Sequence, residues 1–127
     1  MFELTDAIAE GDRDGVLRHL DALFADGNEP LALLGMVAWQ FRRTLRGAAL
    51  AESGAAAAEI GRTVGVHFRL QERFATTCRR LGTRKVAAAL LALRVADREL
   101  KLAAGDERIR LERTLLELVP AVVRAGK

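Results

Sequence analysis

At 127 residues, half of them apolar, the chain has the size and composition of one domain with a hydrophobic core. Its single cysteine, Cys78, excludes an internal disulfide and a multi-cysteine zinc site, and no apolar run is long enough to span a bilayer. The net charge of +3 conceals an asymmetry: residues 1–39 carry two basic and eight acidic side chains, residues 40–95 eleven and three, and residues 96–127 seven and six. A basic middle suits phosphate or an acidic partner surface, or simply arginines decorating solvated helix faces. With no charged-then-apolar leader, a cytoplasmic location is expected. Two prolines, abundant Ala, Leu and Arg, and no strand-type alternation predict an all-α protein, a single domain over residues 1–127 with about six or seven helices.

In chain order, Phe2 to Glu10 reads as a short helix carrying Phe2, Leu4, Ala7 and Ile8, ended by Gly11. Asp12 can cap a second helix, about Arg13 to Ala25, whose Val16, Leu17, Leu20, Leu23 and Phe24 form an apolar stripe. After the turn Asp26-Gly27-Asn28, Asn28 is a candidate N-cap and Pro30 suits a first helical turn. The helix from Pro30 to Ala51 is predicted to be central. Leu31, Leu34, Ala38, Phe41 and Leu45 recur on one face, and Leu33, Met36 and Val37 widen it, so other elements should cover most of its circumference. The short connection predicts that this helix packs antiparallel to the one before it.

Glu52-Ser53-Gly54 breaks the chain. A short helix from Ala55 to Val64 follows, with Gly65 just past its end, and then a helix from about Val66 to Leu81 with Phe68, Phe74, Ala75, Cys78 and Leu81 at helical spacing. Gly82 closes it, and Thr83 is a candidate N-cap for a helix reaching about Ala103. That helix is apolar along two lines: Val86, Leu90, Leu93 and Leu100, then Ala87, Leu91 and Val95. Asp97 and Lys101 stand one turn apart and can pair. Beyond a turn at Ala104-Gly105-Asp106, the last helix bears Leu111, Leu115, Leu118 and Val122 on one side and Ile109, Leu116 and Val119 on another. Pro120 should kink or end it.

Reactive chemistry finds little to work with. No glycine-rich segment precedes a Lys-Ser or Lys-Thr pair, His19 and His67 are far apart in sequence, and Cys78 lies on an apolar helix face as a small buried hydrophobe would. No cofactor, metal site or catalytic residue is expected. The helix pair around Gly61 to Val66, followed by Arg69, Arg73, Arg79, Arg80, Arg84 and Lys85, has the outline of a helix-turn-helix, so a small DNA-binding regulator is the alternative reading. Against it, the second helix opens with Val66, His67 and Phe68, which offer little to base edges. Trp39, the only tryptophan, stands beside Arg42, Arg43 and Arg46. These four are the candidate interface residues, since Trp and Arg are enriched where subunits meet, with core or rim packing of Trp39 as the competing account.

Three passages carry a resemblance. They are the opening Phe2-Glu3-Leu4-Thr5-Asp6-Ala7-Ile8 with Gly11-Asp12; the central Pro30-Leu31-Ala32-Leu33-Leu34-Gly35 with Trp39-Gln40-Phe41-Arg42-Arg43; and Ala96-Asp97-Arg98-Glu99-Leu100-Lys101, Gly105-Asp106 and Leu111 to Leu116 near the end. Together they resemble the C-terminal domain of the bacterial DNA polymerase III delta subunit. The resemblance implies a non-catalytic, α-helical collar domain of a clamp loader, the machine that places the sliding clamp on primed DNA during replication. It implies association with the collars of the ATPase subunits and delta-prime, and clamp contact only through N-terminal AAA+-type domains. Nothing in the sequence matches those domains, so the chain is expected to be a collar fragment. The basic middle could also sit near primer–template DNA, although the turn from Leu102 to Asp106 contains no aromatic residue to stack on a base.

Overall fold

The computed structural model describes residues 2–102 and 105–124, and among them every regular element is helical. The helices are α1 (Phe2–Glu10), α2 (Arg13–Ala25), α3 (Pro30–Glu52), α4 (Ala57–Val64), α5 (Gln71–Leu102) and α6 (Glu107–Arg124), with a single 3-10 turn at Phe68–Leu70 before α5. The expected side-chain roles of Phe2 and Val122, and the turn residues Ala103 and Ala104, lie outside what is described.

Local signals set most boundaries. Asp12 caps α2 by accepting a hydrogen bond from the Gly15 N–H at 2.9 Å. Gly65 closes α4 at φ 87°, in the left-handed region where a side chain would be strained. Asp106 caps α6, its Oδ1 accepting from the N–H groups of Arg108 and Ile109. Asn28 does not cap α3. Its Nδ2 donates to the Leu23 carbonyl at 2.8 Å, so it closes α2 instead, and α3 starts at Pro30 without a side-chain cap.

Helix α5 joins what the sequence reads as two helices. The chain bends at Gly82 (φ 72°, ψ 166°), and the helix resumes beyond it. Thr83 does not supply the cap. Its N–H and hydroxyl both donate to the carboxylate of Glu52, the last residue of α3, which serves the restarted helix from across the fold. Helix α6 likewise does not end at Pro120. A proline cannot donate to the carbonyl four residues back. That carbonyl, on Leu116, accepts instead from Arg13 Nη1 at 3.3 Å.

Packing departs from the expected α2–α3 pair. Helix α3 lies chiefly on α5, whereas α2 packs on α1 and α6. The buried line of α3 explains this. Leu33, Leu34, Val37, Phe41 and Ala48 are buried, and Leu31, Met36 and Trp39 are exposed, so one side of the helix is uncovered rather than the whole circumference enclosed. Each large buried side chain contributes roughly 1.5–3 kcal/mol, so burial fixes the helix rotation. On α5 the line Val86, Leu93 and Leu100 is buried with Leu90 beside it, while Ala87, Leu91 and Val95 face solvent.

The interior falls into two clusters. A larger one gathers α1, α2, the first half of α3, the second half of α5 and α6 around Leu20, Leu33, Phe41, Leu93, Leu111 and Leu115. A smaller one, with Ala48, Ile60, Val64, Phe74, Ala75 and Cys78, joins the end of α3 to α4 and the first half of α5. Asp6 ties the two together: from α1 its carboxylate accepts from Arg73 Nε and from the Thr77 hydroxyl on α5.

Candidate subunit interface

The uncovered side of α3 is where the four candidate residues sit. Because Leu34, Val37 and Phe41 turn into the core, Trp39, Arg42 and Arg46 are carried to the outer surface by helical periodicity. Trp39 is 53 % exposed, which answers the question left by the sequence: it is not a core residue. Arg43 lies over its indole, with the guanidinium carbon 4.6 Å from the ring centroid. The same guanidinium donates to Gln40 Oε1 at 3.2 Å and to the Gly65 carbonyl at 3.0 Å. Arg43 therefore clamps α3 to the end of α4 and stiffens Trp39. The geometry thus separates the four residues: Trp39 and Arg43 form one unit, whereas Arg42 and Arg46 point outward one turn apart.

Arg42 also borders a feature that sequence reasoning missed. An open groove of about 420 Å³ runs between α3 and α5, floored by Leu34, Ala38, Leu90 and Leu93 and edged by Arg42, Arg94 and Asp97. Asp97 is engaged by Lys101 at 2.9 Å, the pair expected from their spacing. On α5, Leu91 and Val95 are 65 % and 57 % exposed. The groove takes Leu90 and Leu93 from the first apolar line of α5, and the second line, with Leu91 and Val95, lies bare outside it. What the sequence does not state is which of two adjoining lines the neighbouring helices cover.

Among the described residues no three His, Cys, Asp or Glu side chains are grouped to hold a metal ion. Burial pushes the Cys78 thiol up to about 12, so it is not ionised near neutral pH, and its Sγ rests against the Thr44 carbonyl. His19 is half-buried, and His67 caps the 3-10 turn through Nδ1, which accepts the Arg69 N–H at 3.2 Å. Among the described residues no helix is long and apolar enough to cross a membrane.

The helix-turn-helix outline is also filled differently from a DNA reader. The segment after Gly65 begins with the 3-10 turn, and α5 starts only at Gln71. Two of its arginines are spent on α1: Arg73 on Asp6 and Arg80 on Glu10. Its apolar side, with Phe74, Ala75, Cys78 and Leu81, is buried.

Comparison with known proteins agrees with the helical fold. The chain resembles the Bacillus subtilis DNA clamp loader delta protein (YqeN), with a TM-score of 0.76 and 27 % identity, over 94 % of this chain and 35 % of that one. The chain thus spans about a third of that protein's length. No curated protein sequence matches it. Residues 1–118 match the family described as DNA polymerase III delta subunit, C-terminal domain. Neither comparison supports the helix-turn-helix alternative. A match over nearly all of the chain, together with the fold, places it: the chain belongs to the family formed by the C-terminal domains of DNA polymerase III delta subunits, a non-catalytic part of those proteins.

Proposed function

We propose that this chain is the collar domain through which a delta subunit joins its clamp loader, and so helps place the sliding clamp on primed DNA. Its partners are the collar domains of the ATPase subunits and of delta-prime. Clamp contact belongs to AAA+-type domains outside the 127 residues, and the site of action is the cytoplasm. One observation carries the reading. The outer side of α3 and α5 presents an apolar groove lined by Leu34, Ala38, Leu90 and Leu93 with Arg42 and Arg94 at its edge, and outside that groove Trp39 on α3 and Leu91 and Val95 on α5 are exposed. An apolar centre with an arginine-rich rim is the composition of subunit interfaces, and exposed apolar side chains grouped in this way gain by being covered.

The test is size-exclusion chromatography with light scattering, mixing the chain with purified ATPase and delta-prime subunits of the same clamp loader. Co-elution as a defined complex is expected. Replacing Arg42 and Arg46 with alanine, and separately Trp39, should weaken it while the helical circular dichroism stays intact. Arg43 is best varied alone, because it also holds α3 to α4. Unchanged assembly in the Trp39 and Arg42/Arg46 variants would remove this face from the interface.

A further inference from the structure

Both walls of the α3–α5 groove are basic along stretches that hold no carboxylate. Between Pro30 and Ala51, α3 carries Arg42, Arg43 and Arg46 and no acidic residue. Between Thr83 and Ala96, α5 carries Arg84, Lys85 and Arg94 and again no acidic residue. The carboxylate at the groove is that of Asp97, and Lys101 engages it at 2.9 Å. Arg43 is turned aside to Gln40 and the Gly65 carbonyl. Arg42 and Arg94, one on each wall, make no ion pair among the described residues. The groove is thus apolar at its floor and cationic at both edges.

The backbone of the walls decides the shape of what fits. Residues 34–42 lie inside α3 and residues 90–97 inside α5, so their N–H and C=O groups are engaged within their own helices. An extended segment laid there would find no partners for its own backbone, whereas a helix arrives with its backbone satisfied. Leu34 and Leu93 are buried, Ala38 and Leu90 half-buried, and Gly35 leaves room between the walls, since a Cβ there meets nothing within 4 Å. A helix lying in the furrow between two others is ordinary helix packing, entered by apolar anchors three or four residues apart. Arg42 and Arg94 then select carboxylates on both flanks of that stripe. A nucleic-acid strand fits worse, because the lining offers no ring to stack on a base. Nor does a second copy of this chain supply the segment: its acidic helices α1 and α2 already bury Leu4, Ile8, Val16 and Leu20, the side chains such a stripe would need.

Taking the domain as the assembly module argued above, we propose that the α3–α5 groove receives an acidic amphipathic helix of a neighbouring clamp-loader subunit. Its apolar stripe lies against Leu34, Leu90 and Leu93, and its Asp or Glu side chains meet Arg42 and Arg94.

Cys78 is fully buried, so Gly35→Cys gives the chain one accessible thiol, placed at the groove. That variant, alkylated with a short diazirine iodoacetamide, is mixed with purified ATPase and delta-prime subunits and irradiated, and mass spectrometry reads the cross-linked peptide. The expected peptide belongs to a helix with apolar residues three or four apart and Asp or Glu on both flanks. A cross-link to a segment without that pattern, or to a second copy of this chain, overturns the proposal. Arg42→Glu combined with Arg94→Glu should weaken association about tenfold or more when the fluorescently labelled chain is titrated with the same subunits. Arg42→Lys with Arg94→Lys should retain most of it. Both arginines are exposed, so circular dichroism of these variants should match the parent. A complex that forms with the parent and is unchanged by the charge reversal rules out the acidic helix and leaves the assembly reading standing. A parent chain that forms no complex removes both.

Discussion

The larger cluster is built by leucines that meet from five helices, and the smaller one by close backbone approach. In the first, Leu20, Leu33, Leu93, Leu111 and Leu115 fill the space between helices with long side chains. In the second the helices come so near that α3 passes Cys78 and Phe74 with no side chain at Gly47. A Cβ there would lie 2.5 Å from the Cys78 sulfur and 2.8 Å from the Phe74 ring. Likewise a Cβ at Gly61 of α4 would lie 2.3 Å from the Gln71 side chain. The two regions therefore fail in opposite ways. The leucine cluster is sensitive to lost volume, and the glycine-lined cluster to added volume.

The largest effect should follow from emptying the larger cluster. Leu115→Ala, at a fully buried position, should cost about 2–5 kcal/mol in urea unfolding. A loss under about 1 kcal/mol would mean that the site collapses freely and that the contrast is false.

Adding one methyl to the smaller cluster is the mirror experiment. Gly47→Ala should destabilise by about 1–3 kcal/mol despite alanine's better helix propensity. Cys78→Ala in the same chain should recover part of that loss by making room. Gly35 is the control within the same helix, since a Cβ there meets nothing within 4 Å. Gly35→Ala should instead stabilise by about 0.5–1 kcal/mol. If both glycine variants move in the same direction, the close approach at Gly47 is not what limits that region.

The tie between the regions should be worth somewhat less. Asp6→Ala leaves the Thr77 hydroxyl without its acceptor and frees Arg73, at a cost of about 1–2 kcal/mol. If the tie couples the regions, hydrogen exchange should quicken in α4 and the first half of α5 more than in α6. A uniform change would show that Asp6 adds stability without linking them.

The weakest effect should be at the joint in α5. Hydrogen bonds from the Thr83 hydroxyl and then its backbone N–H hold the exposed Glu52 carboxyl below its ordinary value of 4.5. A carboxylate with a depressed folded-state pKa stabilises above its unfolded value, and that contribution is lost as pH falls through the folded one. Thermal melts of the parent and Glu52→Gln should therefore differ slightly at neutral pH and converge once the pH drops below 4.5. A constant difference across that range would show that the charge is not what caps Thr83.

Much of this architecture is legible in the residues. Asp12, Pro30, Gly65 and Asp106 mark helix ends because capping and backbone strain act within a turn of chain. The apolar periodicity of α2, α5 and α6 identifies most of the core for the same local reason. The candidate site is legible only in part. Trp39 and its arginines stand out by type, but the sequence leaves open whether Trp39 is covered. Helical spacing puts Phe68 in register with Phe74, Ala75 and Cys78 on the core face, but the 3-10 turn breaks that register before α5 begins, and Phe68 ends up in solvent.

The all-α class, the helices and most of their ends, the absence of an internal disulfide and the charge asymmetry thus follow from sequence, since they depend on neighbours in the chain or on composition alone. Tertiary packing was needed to lay α3 on α5 rather than on α2, and to make Asn28 close one helix instead of opening the next. It also placed Glu52 against Thr83 and Arg13 against the Leu116 carbonyl freed by Pro120, and it left the Leu91 and Val95 line bare. Each of these outcomes depends on groups that are distant in sequence competing to cover the same surface or satisfy the same polar atom, and local pattern carries no term for that competition.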